Sequence, residues 1–295
     1  MNVRVRYRWH VLVLLVFLAL ALAGCGGAQT AAPTEAAATL PVATTEPAAA
    51  TEPAEAATTL AVFAAASLTD AFGEIATAFS AANPGVSVAF NFAGSNQLAT
   101  QIVAAAPADV FASANRKQMD AAIETGRIDA AAPQVFVTNR LVVVVPADNP
   151  AGIVELTDLA RSGTVIVLAA EEVPAGQYAL EFLGKASDAA GFGSTFRDDV
   201  LANVVSYEEN VRSVLNKVAL GEADAGIVYT SDAISELGVT TIAIPDALNV
   251  LAEYPIAALN DSAHSEDAAA FVAFVLGPDG QHILARHGFG TSSGQ

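Results

Sequence analysis

The chain has 295 residues, 53% of them hydrophobic, and a formal net charge of −18 from 13 Lys+Arg against 31 Asp+Glu. The apolar share excludes wholesale disorder, the acidic balance excludes a nucleic-acid binder, whose partner needs a basic face, and a single Cys excludes a disulfide framework or a Cys-based zinc cluster. The mean hydropathy of +0.46 is raised by alanine, and no stretch reaches the roughly 20 apolar residues of a spanning helix.

The first segment reads as an address. Arg4, Arg6 and Arg8 precede an unbroken apolar run, Val11 to Ala23, of a length that suits a signal peptide. Leu22-Ala23-Gly24-Cys25 follows and resembles the bacterial lipobox, which implies cleavage before Cys25 and lipidation of its thiol. Residues 1–24 are thus expected to be a signal peptide. Their removal takes away three Arg and no acid, moving the charge from −18 to −21. Residues 25–59 are expected to be a lipid-anchored tether rich in Ala, Thr, Pro and Glu, with TEPA at 45–48 and again at 51–54. Such a composition buries too little apolar surface to offset its ordering entropy.

From Leu60 strands and helices alternate. Leu60–Ala64 reads as a strand, and Leu68, Phe72, Ile75 and Phe79 form one helical face. Ser67-Leu68-Thr69-Asp70 reads as a near capping box. Val86–Phe92 predicts a strand, Ser95 to Val103 a helix, Asp109–Ala112 a strand and Arg116–Thr125 a helix. Leu141–Val145, stopped by Pro146, reads as a buried parallel strand. A second block follows: strand 165–169, helix 176–185, strand 200–205, helix 210–220, strand 225–229, helix 231–237 and strand 240–244. A strand over 254–259 and helices near 265–276 and 278–287 close the chain. Repeated strand–helix units predict an α/β fold with mainly parallel sheets flanked by helices. Two blocks predict two lobes, with the ligand in the cleft between them.

Three segments share one design, in which a strand ends, small residues follow and a helix begins. They are Ala64-Ala65-Ala66-Ser67-Leu68, Phe92-Ala93-Gly94-Ser95-Asn96 and Val173-Pro174-Ala175-Gly176-Gln177. The first N–H groups of a helix lack intrahelical partners, and each helix start carries roughly half a positive charge. Converging starts therefore make an oxyanion receptor without Lys or Arg. Each serine alone would read as a plain helix cap; their joint occurrence favours a site.

In order along the chain, these motifs resemble the periplasmic molybdate-binding proteins of bacterial ABC importers. The resemblance adds Ala106-Pro107-Ala108-Asp109-Val110-Phe111, Asn139-Arg140-Leu141-Val142-Val143-Val144 and Glu209-Asn210-Val211-Arg212. It also covers Gly226-Ile227-Val228-Tyr229 with Ser231-Asp232, and a closing Gly288-Phe289. It implies a type II-like periplasmic-binding-protein fold, with lobe I from 60–143 and 246–295 and lobe II from 144–245. It implies that molybdate or tungstate is held by the hydroxyls of Ser67, Ser95 and Tyr229 and the amides of Ala175 and Val211. Asn210 stands where the family often has Asp, and Asn96 where Ser is common. The implied partners are an ABC permease and, through Cys25, a membrane; a monomer without cofactor or metal-cation site is expected.

An all-donor site also discriminates. Monohydrogen phosphate brings a proton that needs an acceptor, whereas molybdate and sulfate bring none. Rival readings are a two-lobe binder for sulfate, phosphate, ferric ion or an organic anion, a surface scaffold, and an enzyme. Against the enzyme, Glu171-Glu172 and Glu208-Glu209 read as solvated acids. His264, His282 and His287 lack zinc spacing, and Gly191-Phe192-Gly193 lacks the third glycine of a dinucleotide loop.

Overall fold

The computed structural model describes residues 57–291 apart from Ser235; the signal segment, Cys25 and most of the tether lie outside these residues. β1 (Thr58–Ala65) is followed by a tight turn at Ala66–Leu68 and α1 (Thr69–Ala82). No capping box forms at Ser67: the turn occupies that position, and Thr69 Oγ1 donates to Ala66 O at 2.7 Å. The predicted face of α1 is buried, with Phe72, Ile75 and Phe79 at most 1% exposed. β2 (Val86–Ala93), α2 (Ser95–Val103), β3 (Val110–Ala112) and α3 (Arg116–Ile123) complete the first block. Phe72 and Phe79 pack on Phe271 with centroids 6.0 and 5.2 Å apart, edge to face, an arrangement that adds about 0.5–1.5 kcal/mol per pair beyond burial.

β4 (Gln134–Pro146) is a single strand of 13 residues, and the expectation of a parallel strand over 141–145 is corrected here. Its first part, Gln134–Arg140, runs antiparallel to β9 (Leu251–Ala258). Its second part pairs antiparallel with β7 (Ala225–Tyr229) and β8 (Val239–Ala243). An apolar run reports burial of both faces but carries no information on strand direction.

The second block contains β5 (Ile166–Ala169), α4 (Pro174–Asp188), α5 (Phe196–Ala202), β6 (Val204–Glu208) and α6 (Val211–Ala219). The strand expected over 200–205 is also corrected: Val200 and Leu201 end α5, and β6 starts after Asn203. Two short apolar stretches there abut across a helix end, and periodicity cannot separate them. Acids Asp198 and Asp199 in the first turn of α5 suit its positive end. α7 covers only Thr230–Ala233, shorter than the helix expected over 231–237. α8 (Ser265–Leu276), α9 (Pro278–Arg286) and β10 (Gly290–Thr291) follow.

Among the described residues the strand order is β2-β1-β3-β9-β4-β7-β5-β6, with β8 and β10 both on β4. The pairs β1–β2, β1–β3, β5–β6 and β5–β7 are parallel, as successive strand–helix units require. The returning strands make the sheet mixed. It therefore has two halves that share β4, and the hydrogen bonding changes partner between Arg140 and Leu141. Beside that change, buried Asn249 accepts from Leu141 N and donates to Leu141 O, both at 2.9 Å. One side chain thus ties the two chain crossings together.

α6 shows how tightly helices seat on this sheet. Val211, Val214, Leu215 and Val218 form its buried stripe, worth roughly 1.5–3 kcal/mol per side chain. A Cβ on Gly226 of β7 would lie 2.7 Å from Val214 Cγ1, so only glycine lets the helix approach this closely.

Candidate functional site

Six strands end at one place. The residues just beyond β1, β2, β3, β5 and β6, with the last residue of β7, line a single small cavity between the two halves. Its wall includes Ser67, Ser95, Ala175, Val211 and Tyr229, so every ligand residue expected from the sequence meets there. Ala65, Ala66, Gly94 and Asn210 fill the gaps, and among the described residues no Lys, Arg or His lines it. The cavity is small, with about 210 Å³ of unfilled space including its open mouth.

The helix starts are left open toward this space. α2 begins after Gly94 and α4 after Val173, both without a side-chain cap, and α4 opens on Pro174, whose ring presets the first turn. α6 is capped by Asn210, but the Asn210 oxygen accepts from Ser213 N at 3.0 Å rather than from Val211. Neither serine caps its own helix. Ser67 Oγ lies 2.9 Å from Tyr254 OH, and Ser95 Oγ accepts from Ala114 N at 3.0 Å.

Tyr229 differs from both serines. Its ring is buried, and its hydroxyl, beside that of Tyr254, makes no aligned hydrogen bond among the described residues. An unpaired buried hydroxyl costs roughly 1–3 kcal/mol, and a ligand in the cavity would relieve that cost. Burial pushes its phenol well above the ordinary value, so the group stays protonated and can donate.

Contacts around the cavity draw the halves together. Gln97 Nε2 donates to Glu209 Oε2 at 3.2 Å, Asn115 Nδ2 to Gln177 Oε1 at 3.4 Å, and Gln118 Nε2 to Glu172 O at 3.3 Å. Arg212 reaches Asp70 across the same seam. At Gly94 the approach is closest, since a Cβ there would sit 2.5 Å from Glu209 O. Asn96 does not line the cavity, and its buried Oδ1 has no partner among the described residues.

Sequence reasoning gave no role to Tyr254, Asn139, Arg212 or Asp232. Three of the four sit inside the collinear motifs, which was the available signal. Tyr254 approaches Ser67 from 187 residues away, a distance no local pattern bridges.

A mixed α/β sheet in two halves, with helix starts turned onto a cavity between them, defines a two-lobed solute-binding protein. The chain belongs to the bacterial extracellular solute-binding proteins, whose family model matches residues 60–290; these bind solutes and are not enzymes. It is 43% identical over 236 residues to the molybdate-binding protein ModA of Mycobacterium tuberculosis, covering 80% of this chain and 85% of that one. It is 39% identical over 237 residues to the molybdate-binding protein ModA of Escherichia coli, covering 78% and 88%. Among solved structures, the substrate-binding domain of a putative molybdenum ABC transporter from Clostridium difficile matches with a TM-score of 0.60 at 28% identity. That match covers 80% of this chain and all of the other.

Proposed function

We propose that this protein captures molybdate, or tungstate, outside the cytoplasmic membrane and delivers it to an ABC permease. The observation that carries this reading is that Ser67, Ser95, Tyr229 and the helix-start residues Ala175 and Val211 line one cavity with no Lys, Arg or His among the described residues of its wall. Each hydrogen bond to a charged oxygen contributes roughly 1.5–3 kcal/mol. Six or seven of them approach the ~12 kcal/mol of nanomolar binding, before the costs of association. Neutral donors leave no uncompensated cation in the empty protein. The molybdate-binding names of the relatives support the choice of ion.

In this reading the halves are lobes 60–143 with 246–295, and 144–245, which open and close on the ion about the chain crossings. The Cys25 lipid holds a monomer at the membrane, with residues 25–59 as its tether. Sulfate is the nearest competitor, equal in charge and shape, and must be refused by cavity size.

A thermal-shift panel of oxyanions tests the proposal. Molybdate and tungstate are expected to raise the melting temperature while sulfate and phosphate leave it nearly unchanged; a sulfate-selective shift would replace molybdate by sulfate as the ligand. For the anchor, Cys25→Ser should move the protein from the membrane to the soluble fraction, and unchanged fractionation would reject lipidation.

A further inference from the structure

We infer that Asn139 and Tyr254 form a hydrogen-bond relay that fixes the Ser67 hydroxyl as a donor into the cavity, and that this relay sets the preference for anions without a proton. The inference rests on the oxyanion reading above and names residues outside the cavity wall that tune it.

The direction of the relay follows from its fixed end. Asn139 is 2% exposed. Its Oδ1 accepts from Arg140 N at 3.0 Å and from Thr230 Oγ1 at 2.9 Å. Turned over, the amide would set its NH₂ against the Arg140 N–H, two donors face to face, so its orientation is determined. Nδ2 then donates to Ser231 Oγ at 2.8 Å and reaches Tyr254 OH at a long 3.5 Å. Tyr254 is fully buried. Facing a donor on the Asn139 side, and beside a Tyr229 hydroxyl with which it makes no aligned hydrogen bond, its single proton goes to its nearest partner, Ser67 Oγ, at 2.9 Å. The Ser67 proton is left to point into the cavity.

Reversal carries a penalty. With Tyr254 donating into one lone pair of Ser67 and the Ser67 proton aimed at the ligand, only the second lone pair is left for a ligand proton; for Ser67 to turn wholly to accepting, its own proton must go to Tyr254. The Tyr254 proton would then be left between the Asn139 NH₂, a donor, and the Tyr229 hydroxyl, with which it makes no aligned hydrogen bond. Ser95 reaches the same polarity by a simpler route, because the backbone N–H of Ala114 that it accepts can only donate. Both serines are thus biased to donate to the anion, one by the main chain and one by a relay that starts beside α7.

Asn139→Asp tests the relay by supplying the acceptor it lacks. The Tyr254 proton can then turn to Asp, and the Ser67 proton to Tyr254. The added charge repels molybdate and monohydrogen phosphate alike, both being dianions, so the ratio of their affinities isolates the relay. On the full chain at mildly alkaline pH, Asn139→Asp should lower the molybdate-to-phosphate affinity ratio about tenfold. In a Tyr254→Phe background, where the relay is cut, it should leave the ratio unchanged. Equal losses for both anions, or a shift that persists with Tyr254→Phe, would overturn the inference. Should Asn139→Asp fail to fold, Tyr254→Phe alone should weaken molybdate binding several-fold in the wild type and not in Ser67→Ala; equal losses in both would overturn it. If the wild type takes up no oxyanion at all, the proposed function falls. The relay is then read in the free protein by NMR, where a Tyr254 hydroxyl proton directed at Ser67 supports it and one directed elsewhere refutes it.

Discussion

Arg212 Nε and Asp232 Oδ1 lie 2.9 Å apart, one residue along from Val211 in the cavity wall. Their angle leaves a close ion pair rather than an aligned hydrogen bond. The same guanidinium crosses the seam to Asp70 on α1, while the other Asp232 oxygen accepts from Tyr229 N at 3.2 Å. One charge cluster therefore joins α6, α7 and α1, and holds Val211 and Tyr229, two of the expected ligand residues, from outside the cavity wall.

Arg212→Met removes one partner of a fully buried carboxylate. Breaking a buried pair this way costs about 3–5 kcal/mol, so the midpoint of chemical denaturation should fall accordingly. Asp70 is 40% exposed at its side chain, and Asp70→Asn should change stability by under about 1 kcal/mol while still weakening molybdate binding. Equal stability losses in the two variants would contradict this division.

The pH dependence has a definite sign. Burial raises the Asp232 carboxyl to about 6, against the pull of Arg212. The folded chain then binds this proton more tightly than the unfolded chain. The stability from this group is therefore greatest at low pH and declines as pH rises from about 4 to about 6, on the order of 3 kcal/mol in all. Asp158, held low by the amides of Val154 and Glu155, acts in the opposite sense, losing stability as pH falls through its lowered value. Melting temperatures should thus peak near pH 4 and decline toward neutrality, and Asp232→Asn should flatten that decline.

Ser67→Ala and Ser95→Ala should each weaken molybdate binding by about 1–3 kcal/mol, measured by calorimetry. Ser95→Ala also leaves the Ala114 amide without its partner and should lower the melting temperature. Normal titrations for both variants would remove these residues from the site.

How far the site was legible follows from how each residue acts. Ser67, Ser95 and Ala175 sit at strand-to-helix joints whose small residues are visible in a local pattern, and the structure brings them to one cavity. Tyr229 and Val211 came from resemblance, since an amide ligand leaves no side-chain signature. The long antiparallel β4 was misread because an apolar run shows burial and not direction. Asn139 and Tyr254 were invisible as partners of Ser67, because their roles depend on a sheet pairing between β4 and β9 that only the fold creates.

Gly94→Ala probes the approach of the halves. Its Cβ would meet Glu209 O at 2.5 Å and Asn96 Oδ1 at 2.6 Å, so the seam must open. The variant should bind molybdate at least tenfold more weakly, about 1.4 kcal/mol, with little change in melting temperature without ligand. Unchanged affinity would show that this contact is not needed for binding.

The central claim is that uncharged donors from two halves enclose a doubly negative tetrahedral ion. Calorimetric titration of the full chain with molybdate, in dilute and in concentrated inert salt, tests it most directly. With no cation in the cavity and a strongly negative surface, the affinity should be tight at one ion per chain and flat, or slightly improved, as salt is added. A steep loss of affinity with salt, or no saturable binding in either condition, would contradict it.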